Sequence, residues 1–191
     1  MNTTQPIRDS RHLQTFKMYY KDTKPCPRNY LLIIMGLNTA LRITDILNLR
    51  WKDIYNFKEN CIKDHLVIKE QKTGKINQIA INDQLREAIL SYKTEDVIEN
   101  DYIFVGNNDS SKPICRQQAY RIIKEAALYA GESEHISCHS LRKTFGYYAW
   151  KQGVPPVILM NIFNHSSFQI TKRYLGIEQD DKDMVFMNIN I

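Results

Sequence analysis

Paired cysteines are missing from this 191-residue chain: Cys26, Cys61, Cys115 and Cys138 show no Cys-x-x-Cys spacing. That argues against a zinc ribbon or a disulfide framework and leaves reduced thiols as the expectation. Long hydrophobic runs are missing too. The longest, Tyr30 to Leu37, falls well short of the roughly 20 residues that cross a bilayer, and no basic-then-apolar signal opens the chain. No membrane partner is expected, and a cytoplasmic location is. The Asn-x-Ser/Thr matches at Asn2, Asn108 and Asn164 then carry no glycosylation, which needs a secreted chain. No Pro/Gly/Ser-rich stretch, block of single-sign charge or internal repeat is present, so the chain is expected to fold throughout, its ends apart.

What is present is a modest excess of base, 26 Lys and Arg against 21 Asp and Glu for a formal charge of +5. Such a surface suits a polyanion, although charge of this size also occurs in proteins that bind none. The length suits a single domain with a proper core.

Hydrophobic spacing predicts a mainly α chain with a small antiparallel β-sheet (α+β). Asp9 and Ser10 offer an N-cap to a short helix over 10 to 21, which the Pro25 and Pro27 pair breaks. Arg28 to Leu37 reads as a buried helix interrupted by Asn38 and Thr39. Ile43, Ile46, Leu47 and Leu49 mark one further helix with Arg42 at its start, closed by Trp51 and Asp53. Leu66 to Glu70 and Ile76 to Ile81 are β-prone and joined by QKTGK, with Gly74 where a hairpin needs positive φ. Asp83 is expected to cap a helix reaching Tyr92, and Tyr102 to Val105 reads as a brief strand. Helices are predicted near Arg116 to Ala130, Ser140 to Gln152, Pro155 to Phe163 and Phe168 to Tyr174.

Several charged and nucleophilic groups stand out against that frame. In HSLRKT, His139 and Arg142 lie three apart, so on a helix they share a face and can converge on one oxyanion. NHSSFQITKRYLG holds His165 and Tyr174 in one short stretch. Arg42 sits among aliphatic residues in ALRITDIL, where a buried guanidinium requires a partner; that partner is Asp45, three residues on, or a phosphate.

The ordered set TALRITDILNLRW, KTGK, HSLRKTF and FNHSSFQITKRYL resembles the tyrosine recombinase, or phage integrase, family at each of its signature boxes, over roughly residues 28 to 177. The compact, single-domain invertases of fimbrial switches are the members it is most similar to. The resemblance implies the recombinase catalytic-domain fold over 28 to 177, an N-terminal extension with a short helix over 1 to 27, and a tail over 178 to 191. It implies Arg42 as the first catalytic arginine, Lys72 as the hairpin lysine, His139 and Arg142 as the second-box pair, His165 as the last histidine and Tyr174 as the nucleophile, with Asp45 supporting Arg42 and no metal or other cofactor.

The chemistry explains those residue types. A phosphodiester under attack gathers charge on its non-bridging oxygens, and two arginine forks bind them with charge-assisted hydrogen bonds. A phenol with a pKa near 10 is only about 0.1% ionised at neutral pH. Tyr174 therefore needs help from His139 or His165, and the sequence does not choose between them. The resulting phosphotyrosine conserves the energy that reseals DNA. The departing 5′-hydroxyl needs a proton, which a lysine on a hairpin tip can deliver; Lys72 is the first candidate and Lys75 the reserve.

Arg116, Arg121 and Lys124 on one predicted helix, with Lys143 and Lys151 on another, are candidates for DNA phosphate contacts or for a plain solvated face. Lys143 stands where the family commonly has histidine, and Asn164 where it has glycine; asparagine tolerates a left-handed turn. The expected function is DNA strand cleavage and rejoining at short inverted repeats through a 3′-phosphotyrosine, by a tetramer on double-stranded DNA, with accessory DNA-bending proteins as further partners. The apolar tail Val185 to Ile191 is expected to dock on a neighbouring protomer. The alternatives are a type IB topoisomerase and a catalytically silent DNA-binding regulator or directionality factor.

Overall fold

The computed structural model of the protein describes residues 4–72, 74–106, 111–132, 135–177, 183 and 186–189. It is mostly helical, with two small antiparallel two-stranded sheets.

Helix α1, Ser10–Met18, starts at Asp9, whose carboxylate accepts from the backbone N–H of Arg11 and His12 and is thereby held below its usual pKa. The chain continues as a single π-helical turn, Tyr19–Thr23, before the prolines. The hydroxyls of Tyr19 and Tyr20 both donate to Glu125 at 2.9 Å, and Lys24 adds a third contact at 2.5 Å. Residues 4–8 run as a strap over the opposite side. Lys143 Nζ donates to the Thr4 carbonyl, Ile7 N–H to Thr144 Oγ1, the Tyr148 hydroxyl to the Arg8 carbonyl and the Arg8 guanidinium to the Gly176 carbonyl. Ile7 and Phe16 are fully buried in the main core.

Helix α2, Pro27–Thr39, is the centre of that core, with Leu31 to Met35 wholly buried. The expected break at Asn38 and Thr39 does not occur. Both side chains bond back to the carbonyl four residues earlier, Asn38 to Ile34 and Thr39 to Met35, each at 2.8 Å, so the helix runs on to Ala40. The single helix expected after Arg42 is instead two short ones, α3 (Ile43–Leu47) and α4 (Trp51–Ile54). Asp53 begins nothing and ends nothing there; its carboxylate accepts the Arg50 N–H that opens α4.

Strands β1 (Tyr55–Asn56) and β2 (Cys61–Ile62) form a small unexpected hairpin. Strands β3 (His65–Lys69) and β4 (Ile76–Ala80) form the expected one, in register from His65↔Ala80 to Lys69↔Ile76, with Gly74 at φ 69°. Tyr102 to Val105 is not a strand. Among the described residues it makes two isolated bridges, Arg50↔Tyr102 and Val105↔Pro113, each too short to extend into a ladder. Helix α5, Asp83–Tyr92, is capped by Asn82 rather than Asp83.

Helices α6 (Arg116–Tyr129), α7 (Cys138–Lys151), α8 (Pro156–Phe163) and α9 (Phe168–Leu175) complete the chain. A second apolar cluster, with Ala40, Tyr147, Leu159, Phe163, Leu175 and Ile177 at its centre, seats α8 and α9 on α7, and Tyr174 packs against it. That contact requires Gly146. A Cβ there would stand 2.5 Å from Leu175 Cδ2 and 2.6 Å from Phe163 Cζ. Among the described residues no helix is long and apolar enough to cross a membrane.

Candidate active site

Arg142 lies on α7 and is 4% exposed. Its guanidinium donates to the carbonyls of Ala40 and Phe163, and its carbon sits 4.9 Å from the Phe163 ring centroid. Ala40 ends α2 in the left-handed region, φ 54°, a conformation that strains a residue with a Cβ and recurs at functional sites. Burial pulls the Arg142 pKa down, while the nearby Tyr174 and Glu70 oppose that shift.

Arg42 is the residue that opens α3, and 18% of its side chain is exposed. The carboxylate it meets is Glu70 at 2.5 Å, not Asp45. Asp45 is also buried, but its Oδ1 accepts from the Gln71 N–H at 3.0 Å and its Oδ2 has no hydrogen-bond partner among the described residues. Asp45 therefore supports the hairpin tip rather than the arginine. Three residues on a helix's first turn do not bring its carboxylate round to Arg42, because Arg42 is still extended.

Tyr174 closes the site from α9. Its ring is edge-on to His165 at 5.2 Å and to His139 at 6.5 Å, with Lys143 Nζ 5.1 Å from its centroid and Phe163 at 5.4 Å. The hydroxyl is buried and accepts or donates no well-formed hydrogen bond among the described residues. Burial raises its pKa, and the charge of Arg142, the loose hydrogen-bonding approach of that guanidinium and the charge of Arg42 pull the other way. A buried hydroxyl with no well-formed hydrogen bond, set against one guanidinium and in the field of a second, is a place for an anion's oxygen to enter.

The two histidines differ in support. His165 Nδ1 lies 3.0 Å from the hydroxyl of Thr171, which is fully buried and itself donates to the Ser167 carbonyl. With that donation made, Nδ1 carries the proton and Nε2 is left as an acceptor. His139 stands on the first turn of α7 with its outer edge open to solvent and its ring turned in towards Tyr174. Both have lowered pKa values, through burial of the ring first and then the surrounding cations, which for His139 are Arg142, Arg116, Lys143 and Arg42 and for His165 are Arg142 and Arg42. Both are neutral at pH 7.

Of the two hairpin lysines, Lys72 is exposed at the tip, and Lys75 Nζ donates to the side chain of Asn164 at 2.8 Å. Asn164 adopts the left-handed turn expected of it, φ 54°. Arg116 and Arg121 are exposed on α6, whose other face, with Ala119, Ile123, Ala126 and Ala127, is core. Lys124 is half-buried there and Lys151 is exposed at the end of α7. Lys143, expected at a DNA phosphate or on a plain solvated face, is not solvated. It is buried, bound to the Thr4 carbonyl and turned to the Tyr174 ring, and its pKa is lowered by that burial.

The sequence profile described as the phage integrase family matches residues 12–180. The chain belongs to the phage integrase family. Members of this family, the tyrosine recombinases, act by DNA cleavage and rejoining through a covalent phosphotyrosine. The chain is 44% identical over 180 residues to "Probable integrase/recombinase YoeC" of Bacillus subtilis (strain 168), covering 94% of this chain and 93% of that protein. It is 28% identical over 152 residues to the type 1 fimbriae regulatory protein FimE of Escherichia coli (strain K12), covering 77% and 73%. The fold is similar to that of XerA recombinase, with a TM-score of 0.74 at 18% identity over 99% of this chain and 65% of that one. It is also similar to a lambda integrase tetramer bound to a Holliday junction, with a TM-score of 0.66 at 14% identity over 90% and 48%. The chain thus spans nearly all of the Bacillus relative and about half to two thirds of these longer recombinases.

Three residues at this recombinase site are not among the site residues that the sequence singles out, although Ala40 and Thr171 lie within its boxes. Glu70 holds Arg42, Thr171 orients His165, and Ala40 supplies a carbonyl to Arg142. Thr171 had a local signal, since it stands three before Tyr174 and so on the same helical face. Glu70 and Ala40 had none.

Proposed function

We propose that this chain is a site-specific recombinase in which Tyr174 attacks a DNA phosphate held by Arg42 and Arg142, leaving a 3′-phosphotyrosine on one strand per protomer. The observation that carries this reading is the Tyr174 hydroxyl, buried against the Arg142 guanidinium without a well-formed hydrogen bond, its ring flanked by His165 and His139 and within the field of both arginines. His165, with Nε2 free to accept, takes the phenolic proton, and His139 supports the developing charge on phosphate. Lys72 protonates the 5′-oxygen, with Lys75 in reserve. Asp45 supports this lysine-bearing tip through Gln71. Lys143, with its amine on the Tyr174 face, helps to hold the nucleophile's ring.

The substrate is double-stranded DNA with short inverted repeats, cleaved by a tetramer over paired sites, with accessory DNA-bending proteins assisting. Residues Phe186, Met187 and Ile189 of the tail are exposed, which supports docking of this segment on a neighbouring protomer; Val185, Asn190 and Ile191 lie outside the described residues. Removing residues 184 to 191 is expected to abolish assembly on DNA in native gels while the monomer melts as before, and unchanged assembly removes the docking role.

Target and chemistry are tested together by denaturing capture of tagged protein from cells that carry the DNA flanking its gene, followed by sequencing of the attached strand. Adducts that vanish in Tyr174→Phe and map to inverted repeats support the reading. Capture of the same DNA by both proteins, only before denaturation, supports a silent DNA-binding regulator instead.

A further inference from the structure

Glu70 is a carboxylate buried beside the site, with a side chain of 0% exposure, and the reaction described above gives it no step of its own. It occupies the last position before the hairpin tip. Its N–H donates to the Lys75 carbonyl at 2.9 Å and its own carbonyl accepts from Gly74 at 2.8 Å, so its backbone closes the loop that carries Lys72. Its side chain does something different. Oε2 meets Arg42 at 2.5 Å and Oε1 accepts from Asn77 on β4 at 2.5 Å. One residue therefore fixes the loop's base with its main chain and the catalytic arginine with its carboxylate.

We infer that Glu70 is a positioning residue that sets the Lys72 loop in register with the arginine clamp, so that phosphate binding and proton delivery are aligned by one buried ion pair. This rests on the reading of Lys72 as the acid. The second carboxylate follows the same plan, since Asp45, from the helix that Arg42 opens, accepts from the N–H of Gln71, the next residue along the same arm of the hairpin. The lysine loop is thus held to the arginine's element at both residues that precede Lys72. A fork with five donors can give one edge to Glu70 and keep others for phosphate.

The step this alignment serves is a single displacement. The Tyr174 oxygen bonds to phosphorus as its proton passes to a histidine, the bond from phosphorus to the 5′-oxygen breaks, and that oxygen takes a proton from the Lys72 ammonium. A leaving group that departs without a proton makes the last transfer unnecessary. Sulfur in place of the 5′-oxygen is such a group, since a thiol ionises near pH 8.5.

The test compares single-turnover adduct formation by the full chain on two duplexes that differ only in oxygen or sulfur at the 5′ position of the scissile phosphate. Wild type, Lys72→Ala, Glu70→Gln and Arg142→Lys are assayed on both. Lys72→Ala and Glu70→Gln are expected to lose about tenfold or more on oxygen and to return to within about threefold of wild type on sulfur, while Arg142→Lys stays slow on both. Recovery of Lys72→Ala without recovery of Glu70→Gln overturns the positioning role and leaves Glu70 as a structural partner of Arg42. Failure of Lys72→Ala itself to recover removes Lys72 as the acid, and this inference with it. If Glu70→Gln does not fold, Asn77→Ala, at a half-buried position that frees only Oε1, replaces it with the same expected direction and the same overturning result.

Discussion

The Arg142 guanidinium donates to the carbonyl of Ala40, a residue 102 positions earlier that holds a left-handed backbone at φ 54°. Ala40 can present that oxygen because α2 stops there, with Thr39 turned back on Met35 and its hydroxyl also receiving the Leu41 N–H. The end of one helix and the middle of another are joined through the Arg142 side chain. With two donors committed to backbone, Arg142 cannot swing, and its remaining donors face Tyr174.

Arg142→Lys should therefore fail in two ways. An ammonium on a shorter reach cannot satisfy the Ala40 and Phe163 carbonyls together, and a buried acceptor left unpaired costs about 1 to 3 kcal/mol. Adduct formation should fall by about a hundred- to a thousandfold, the effect of losing one preorganised donor. Thermal melting and single-turnover cleavage check both, and rates within about tenfold of wild type would sink the clamp.

Gly146→Ala places a methyl group against Leu175 and Phe163. Neither neighbour is a free side-chain end, since both are core of the second cluster. A loss of about 1 to 3 kcal/mol is expected from overpacking. Because Leu175 follows Tyr174 directly, cleavage should fall more than DNA binding does, read by comparing adduct yield with a binding isotherm. Equal losses in both would mean that α9 is not what moved.

Much of this site was legible in the sequence. The four boxes named Arg42, Lys72, His139, Arg142, His165 and Tyr174, and the structure sets both arginines and both histidines around the buried Tyr174 hydroxyl while Lys72 stays exposed at the hairpin tip. The helices on α6 to α9 were legible because their apolar spacing and caps agree. Glu70 was not, because a glutamate ending a β-prone run is ordinarily solvated and only the hairpin's fold over α3 buries it. Ala40 was hidden for a related reason: nothing about an alanine signals positive φ, and tertiary contact imposes it. The strap over 4–8 carries no pattern at all, since its bonds to Lys143, Thr144 and Gly176 run through backbone atoms or across the whole chain.

His139 and His165 are held below the ordinary histidine value of about 6.5. For a depressed histidine the unfolded chain binds protons first, so their contribution to stability is complete above about pH 6.5 and is lost as pH falls towards the depressed values. A phosphate in the site raises both again. DNA binding should consequently take up protons and tighten as pH drops from about 7.5 to 6. Calorimetry in two buffers of different ionisation enthalpy measures the uptake. An uptake unchanged in the His139→Asn, His165→Asn double variant would place its origin elsewhere.

Arg116 and Arg121 present their charges on the exposed face of α6, beside His139 in the case of Arg116. If both meet phosphates, the double alanine variant should flatten the dependence of log affinity on log salt by about 1.8, at about 0.9 per contact. Lys143→Met should leave that slope unchanged, because its amine is bound to the Thr4 carbonyl. The reverse pattern would return Lys143 to the DNA surface.

The most direct test of the central claim is the identity of the atom that carries DNA. A nicked duplex that traps the cleaved intermediate is incubated with the protein, digested with trypsin and nuclease, and the linked peptide sequenced by mass spectrometry. Lys172 and Arg173 place a tryptic cut directly before Tyr174. The account predicts a nucleotide joined through its 3′-phosphate to Tyr174 and no adduct from Tyr174→Phe, which should fold as wild type because it keeps the ring that packs on the second cluster and loses only a hydroxyl without a well-formed hydrogen bond. An adduct on any other residue, or cleavage that survives Tyr174→Phe, would contradict it.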